Sequence, residues 1–419
     1  LKMKLTIVCL LALLAFGYAE DKHDHWAVIV AGSNGFWNYR HQADVCHAYQ
    51  IMKNNGIPEE QIILLSYDDV ASASQNPFPG QLFNQPDGED VYAGCNIDYK
   101  GSDVTPDQFL KVLKGEGNGK VLKSNSASKV FINFADHGAP DLIAFPRGEL
   151  HANDFHDALL YMHENKMYSE MTIYIEACES GSMFEGILED NLNIYATTAA
   201  NPTESSWGYY CSPDDTVQGK HIGSCLGDLY SIAWMEDSEK NDICAETLEE
   251  QFDIVKKRTD KSEVMKFGDL NFFSEMVGNF QGTCDCKNTL SNFLRTLKKE
   301  QPTEDREYSA VESRDIKMHY LYHKYMRTNL AEDAQELQDE VASRQAIDAR
   351  FASLRANSGI NYDGNARIQS TDCYKSLIET YKQSCGWDEY DLKFMRDLVN
   401  LCNSNTAYSK MFGLISNMC

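Results

Sequence analysis

The sequence predicts an α/β protein, built on a doubly wound, mainly parallel sheet flanked by helices and followed by a separate all-α domain. Three observations carry this. Short apolar, β-branched-rich runs alternate with helix-patterned stretches from residue 26 to residue 198. Several runs are apolar along nearly their whole length, as strands must be when both faces of the sheet are covered. Beyond Asp315 the strand pattern gives way to helix formers with spaced apolar positions.

The elements follow in order. Lys4 and an apolar run from Leu5 to Phe16 end in the small residues Gly17 and Ala19, the layout of a signal peptide over residues 1–19, with Met3 as the expected start. That run is too short to span a bilayer, and no other segment is long enough, so no membrane span is expected. Residues 20–286 read as the first domain. Its strands are expected at 26–31, 61–66, 129–135, 171–177 and 193–198, and its helices include 42–54, 106–113 and 154–166, the last capped by Asn153 or Asp154. Residues 287–329 are a linker, polar and rich in Lys and Glu as far as 315. Residues 330–419 form the helical domain, with helices expected at 331–355, 372–383 and 389–402. No repeat of fixed period is present.

Composition narrows the function. The 419 residues are 43% hydrophobic and 24% charged, enough for a sizeable core, and carry a net charge of −25. Such acidity excludes nucleic acid as a partner and disfavours anionic membrane surfaces. It suits an acidic compartment of the secretory pathway, lysosome-like, or the extracellular space. Of the 13 cysteines, Cys9 leaves with the signal peptide. Cys373, Cys385, Cys402 and Cys419 cluster as for two bridges, and Cys211 and Cys225 flank a loop that a third could close. No Cys or His spacing matches a zinc site, and no metal or cofactor is expected. The one N-x-[ST] triplet, Asn201-Pro202-Thr203, is blocked by its proline.

Two strand ends carry the chemistry. One runs into Asp136-His137-Gly138, the other into Glu176-Ala177-Cys178-Glu179-Ser180-Gly181-Ser182. As neighbours in a parallel sheet they would bring His137 and Cys178 together on its carboxyl edge. A thiolate there attacks a carbonyl carbon, and the imidazole takes a proton and returns it to the leaving amine. The backbone N–H groups of Gly138 and Cys178 could form an oxyanion hole. Arg40 and His41 stand at the same edge, where the first helix begins. The glycines before them lack the lysine and spacing of a phosphate loop.

The stretches AGSNGFWNYRHQADVCHAYQ, NPFPG, DHG, YIEACESGS, YATTAANPTESSWG, CLGDLYS and WMEDS resemble the legumain family of asparaginyl endopeptidases, in order and over nearly the whole chain. The resemblance implies a caspase-like sheet, protein and peptide substrates, and a C-terminal prodomain that inhibits the enzyme and leaves in acid. It implies Cys178 as nucleophile, His137 as base and Asn38 as the residue orienting the histidine. It maps the S1 pocket to Arg40, His41, Glu176, Ser205 and Asp228. It matches Asp136 to a residue that cyclises to a succinimide, Asn329 to an autocleavage site, and pairs Cys373 with Cys402 and Cys385 with Cys419. Cystatin-type inhibitors are implied as partners. The S1 residues make chemical sense, because a primary carboxamide has one acceptor oxygen and a donor NH2. Arg40 can donate to the oxygen, and Glu176 and Asp228 can accept from the nitrogen. Cleavage after Asn, and after Asp as pH falls, is therefore expected. Transpeptidation through the same acyl-enzyme is the alternative activity, and a non-catalytic binding protein on this fold the alternative class. By sequence, residues 330–419 hold 13 acidic and 9 basic residues, so docking of the tail to an acidic core by net charge is not expected.

Overall fold

All five apolar runs are strands of one sheet in the computed structural model, which describes residues 24–284 and 308–419. The signal-peptide assignment and part of the expected linker lie outside those residues. The strands are β1 (His25–Ala31), β2 (Ile62–Leu65), β3 (Lys129–Ala135), β4 (Glu170–Glu176) and β5 (Ile194–Thr198), joined by β6 (Met265–Gly268), which the apolar runs did not announce. Their spatial order is β6-β5-β4-β3-β1-β2, parallel throughout except at β6.

Alternation along the strands serves two cores. Ala27, Ile29 and Ala31 pack on one face with helices α1 (Tyr39–Asn54), α4 (Leu229–Lys240) and α5 (Leu248–Arg258). Trp26, Val28 and Val30 pack on the other with α2 (Pro106–Leu113) and α3 (Ala152–Glu164). This is the double winding that the continuous apolar runs require. The chain leaves β1 toward β2 on one side and β3 on the other, so the switch point lies between β1 and β3, with β4 next in line.

Some boundaries differ. Helix α3 begins at Ala152 with His151 at its N-cap, not Asn153 or Asp154. The Ala152 N–H bonds the Asp141 carbonyl, so a neighbouring hairpin takes the place of a side-chain cap. Within the expected linker, Ala310–Glu312 pairs antiparallel with Trp207–Tyr209, and α6 (Ile316–Thr328) follows. The tail then folds as α7 (Ala331–Ser358), α8 (Thr371–Cys385), α9 (Met395–Asn403) and α10 (Tyr408–Ser416). Half of the helix expected at 389–402 is a 3-10 stretch, Glu389–Phe394.

Disulfides join Cys373 to Cys402, Cys385 to Cys419, and Cys211 to Cys225. Two more, Cys46–Cys95 and Cys244–Cys284, span 49 and 40 residues, separations that leave no local mark in a sequence. Cys178 is the free cysteine among the described residues. No described helix is long and apolar enough to cross a membrane.

Candidate functional site

The site begins where the ladder of β1, β3 and β4 runs out. Ala135 lies opposite Glu176, and the Asp136 N–H still bonds the Glu176 carbonyl at 3.0 Å. Two residues on, His137 and Cys178 leave adjacent strand ends. The backbones touch here: a Cβ on Gly138 would lie 2.2 Å from the Cys178 carbonyl oxygen, so only glycine fits.

His137 is held by Asn38, which is fully buried at the turn before α1. Its Nε2 lies 2.9 Å from Asn38 Oδ1. The Asn38 Nδ2 donates to two acceptors, the Asn34 carbonyl and Glu389 Oε1, which fixes Oδ1 toward the histidine. Nε2 therefore carries the proton in the neutral ring, and Nδ1 is left to act as base. The Cys178 sulfur is buried, with the Ser206 N–H at 3.4 Å and the Ser206 hydroxyl at 3.6 Å as its hydrogen-bond partners.

Arg40, His41, Glu176 and Asp228 are brought together; all are buried. Arg40 Nε donates to Asp228 Oδ1 at 2.8 Å. The Ser231 N–H and hydroxyl donate to Glu176 Oε2. Three atoms remain without a hydrogen-bond partner: Arg40 Nη2, Glu176 Oε1 and Asp228 Oδ2, the last 3.5 Å from His41 Nε2. Burial, then the charge of Asp228, pushes the Glu176 carboxyl well above its usual range. Burial, then Arg40 and His137, holds the His41 imidazole neutral. Ser205 is elsewhere occupied, donating to Glu312 Oε1 at 2.6 Å.

Burial raises the Asp136 carboxyl to about 7, and its Oδ1 has no hydrogen-bond partner. Donor atoms of His41, Asp136 and His137 lie within 4.8 Å of one another, the one such group among the described residues that could hold a metal ion. His41 Nδ1 is engaged by the Ser33 hydroxyl at 2.6 Å and His137 Nε2 by Asn38, so both rings are already oriented by other partners.

The chain itself covers this site. The strand Ala310–Glu312 adds to Trp207–Tyr209 as an extended peptide would. Past it, Ser313 reaches the Ser206 hydroxyl at 3.1 Å, and Arg314 bonds the Gly138 carbonyl and pairs with Glu179. Glu389, from the helical tail, accepts from Trp37 Nε1 at 2.9 Å and Asn38 Nδ2 at 2.8 Å, and lies 3.5 Å from His137 Nε2. The tail is docked by local charge: Arg367, Lys375, Lys382 and Arg396 meet Glu185, Asp154, Glu149 and Glu179. Net acidity is thus no obstacle. Asn329 is exposed in a left-handed conformation between α6 and α7, one that asparagine tolerates better than most residues.

Ser206, Arg314, Glu389 and Arg396 were not singled out from sequence. Their partners lie far along the chain, and nothing in local spacing marks them.

The peptidase C13 family model matches residues 25–283, and the legumain prodomain model matches residues 335–419. A vacuolar-processing enzyme delta-isozyme of Arabidopsis thaliana is 42% identical over 95% of this chain and 91% of its own. The legumain of Mus musculus is 40% identical over 96% of this chain and 93% of its own. A hemoglobinase of Schistosoma mansoni is 45% identical over 87% and 83% respectively.

Proposed function

The chain belongs to the peptidase C13 family and is a cysteine endopeptidase carrying a legumain prodomain; from this we propose that it hydrolyses peptide bonds after Asn, and after Asp in acid, as a zymogen activated in an acidic compartment. The observation that carries the specificity is the set of three atoms without a hydrogen bond on the buried side chains of Arg40, Glu176 and Asp228. One guanidinium N–H and two carboxylate oxygens are the complement of a primary carboxamide. A buried polar site of this kind rejects side chains that leave its groups unpaired.

In the reaction, Cys178 attacks the carbonyl carbon after Asn. His137, turned by Asn38, takes the thiol proton through Nδ1 and gives it to the leaving amine. The N–H groups of Gly138 and Cys178 stabilise the oxyanion. Water then resolves the thioester with His137 as base. With the prodomain removed, peptides ending in Asn are expected to be cleaved from pH 4 to 7, those ending in Asp at the acid end alone, and those ending in Arg not at all. Fluorogenic substrates measure this. An Asn-to-Asp ratio that does not move with pH sinks the pocket assignment.

Latency follows from the covering segments, and Glu389 supplies its pH dependence. Burial raises the Glu389 carboxyl, but His137 and the donors Trp37 and Asn38 outweigh it and bring it down to about 2. Burial lowers His137, but Glu389 and Asp136 outweigh that and raise it. A carboxylate depressed by docking strengthens the docked state above its free pKa, near 4.5, and that contribution is lost as pH falls from there toward 2. The raised histidine contributes below its free value of 6.5 and ceases to as pH climbs through its docked pKa. The clasp is therefore strongest between pH 4.5 and 6.5 and weakens progressively below 4.5. In Glu389→Gln the charge pair is gone and one of two N–H donors loses its acceptor. The intact proenzyme should then hydrolyse an Asn peptide about tenfold faster than wild type at pH 6. Equal latency of the two proenzymes would show that Arg314 and its neighbours suffice. Processing is assigned to the bond after Asn329, and Asn329→Ala should fail to mature to the same size at pH 4–5.

A further inference from the structure

Behind the pocket floor lies a buried chain of hydrogen bonds that the proposed mechanism does not use. Asp44, on α1 and 1% exposed, turns both carboxylate oxygens toward donors. The Asp228 N–H lies 3.2 Å from Asp44 Oδ2 and 3.4 Å from Oδ1. Asn84 Nδ2 donates to Asp44 Oδ1 at 2.7 Å and to the Leu226 carbonyl at 2.9 Å. The orientation of Asn84 is fixed from its other side, where His47 Nδ1 meets Asn84 Oδ1 at 2.8 Å and His47 Nε2 pairs with Glu239 at 3.3 Å. The loop is pinned as well, by the Tyr39 hydroxyl on the Phe83 N–H. It packs so closely that a Cβ on Gly227 would come within 2.8 Å of Asn84 Nδ2.

We infer that Asp44 is a positioning residue for substrate specificity: through the Asp228 N–H it fixes the direction in which Asp228 presents its unpartnered oxygen to the substrate side chain. The inference rests on the reading of this pocket as a carboxamide site. Its chemistry is a count of acceptors. Two donor groups converge on Asp44, and it faces the Asp228 side chain as well: burial, then the Asp228 charge, raises its carboxyl well above the usual range. Its Oδ1 accepts from Asn84, and the Asp228 N–H lies near both of its oxygens. An asparagine would keep the acceptor at Oδ1 and resemble the neutral acid, whereas an alanine leaves both donors without an acceptor, so either Asp228 or Asn84 must move. Asp228 is the one with freedom to do so, since its backbone links the short strand Gly227–Asp228 to the start of α4. Its side chain then leaves Arg40, and the acceptor meant for the substrate NH2 points astray. The thiol, His137 and Asn38 are untouched.

The test is Asp44→Ala in the mature enzyme, read with Asn and Asp peptides at pH 5 and by the rate at which iodoacetamide labels Cys178, the label being mapped to that residue. The expected result is a KM for the Asn peptide raised at least about tenfold, a kcat within about threefold of wild type, an Asn-to-Asp ratio of kcat/KM lowered about tenfold, and unchanged labelling. Should the variant fail to fold, Asn84→Ala, which removes one of Asp44's donors and leaves Asp228 in place, should raise KM in the same direction by about threefold. Wild-type KM and ratio in folded Asp44→Ala overturn the inference. So does a parallel fall in kcat, labelling and thermal stability, which marks a structural role alone. A wild-type enzyme with no preference for Asn removes the pocket reading first, and this inference with it.

Discussion

Cys178→Ala is expected to lower kcat/KM for Asn peptides by at least about 10⁴-fold and to leave the protein as an unprocessed single chain in acid. The reasoning is local. Cys178 is the free cysteine among the described residues, buried at the end of β4, with its backbone against Gly138 and its sulfur on Ser206. No other described thiol is available to attack a carbonyl, because ten cysteines are bonded in five disulfides. His137→Ala should fall nearly as far, since a thiol without its base and proton donor cannot expel an amine. The two losses should not add: the double variant should match the worse single variant, as for groups that act as a unit. Asn38→Ala should lose less. It removes the acceptor at Nε2, so the ring loses its fixed tautomer but keeps its place on the strand end. Steady-state kinetics and gel analysis at pH 4–5 check all four. A Cys178→Ala protein that still matures by itself would place the nucleophile elsewhere.

Much of this was legible in the sequence, for a physical reason. Strands β3 and β4 are buried on both faces, so each shows as an unbroken apolar run, and each ends at a polar turn with glycine. A parallel sheet places such ends side by side. What the runs could not convey is long-range pairing. Asn38 and Glu389 stand 351 residues apart, and a contact of that kind leaves no periodic trace. Asp44 shows a different blindness. An acidic residue in a helix ordinarily faces water, and only the neighbouring Asn84 and Asp228 N–H make its burial tolerable. The helical tail is a third case. Its net charge argues against docking on an acidic partner, yet four of its basic residues each meet an acid on the first domain. Net charge acts over distances that salt screens, whereas partly buried pairs act at contact.

Glu176→Gln should convert an Asn-specific enzyme into one that no longer discriminates strongly against Asp. Glu176 Oε2 is held by the Ser231 N–H and hydroxyl, and a glutamine oxygen can take the same two bonds. The glutamine NH2 then occupies the place of the unpartnered Oε1. Glutamine at this position is a permanent stand-in for protonated glutamate. In the wild type, burial and the Asp228 charge raise the Glu176 carboxyl, while the NH2 of a bound Asn, donating to it, favours the ionised form. An ionised Asp side chain entering the pocket needs one added proton, on itself or on Glu176, to avoid facing two bare carboxylates. Cleavage after Asp should therefore grow as pH falls, and this growth is what the variant removes. In Glu176→Gln the donor is present at every pH, so Asp cleavage should become nearly independent of pH between 4 and 7. Cleavage after Asn should drop by about 10² to 10³-fold, since the carboxamide NH2 now meets a donor where it met an acceptor. The decisive quantity is the ratio of kcat/KM for Asp and Asn peptides across that range. If Asp cleavage by the variant keeps the wild-type slope, the proton that admits Asp resides on the substrate alone, and Glu176 has no part in reading it.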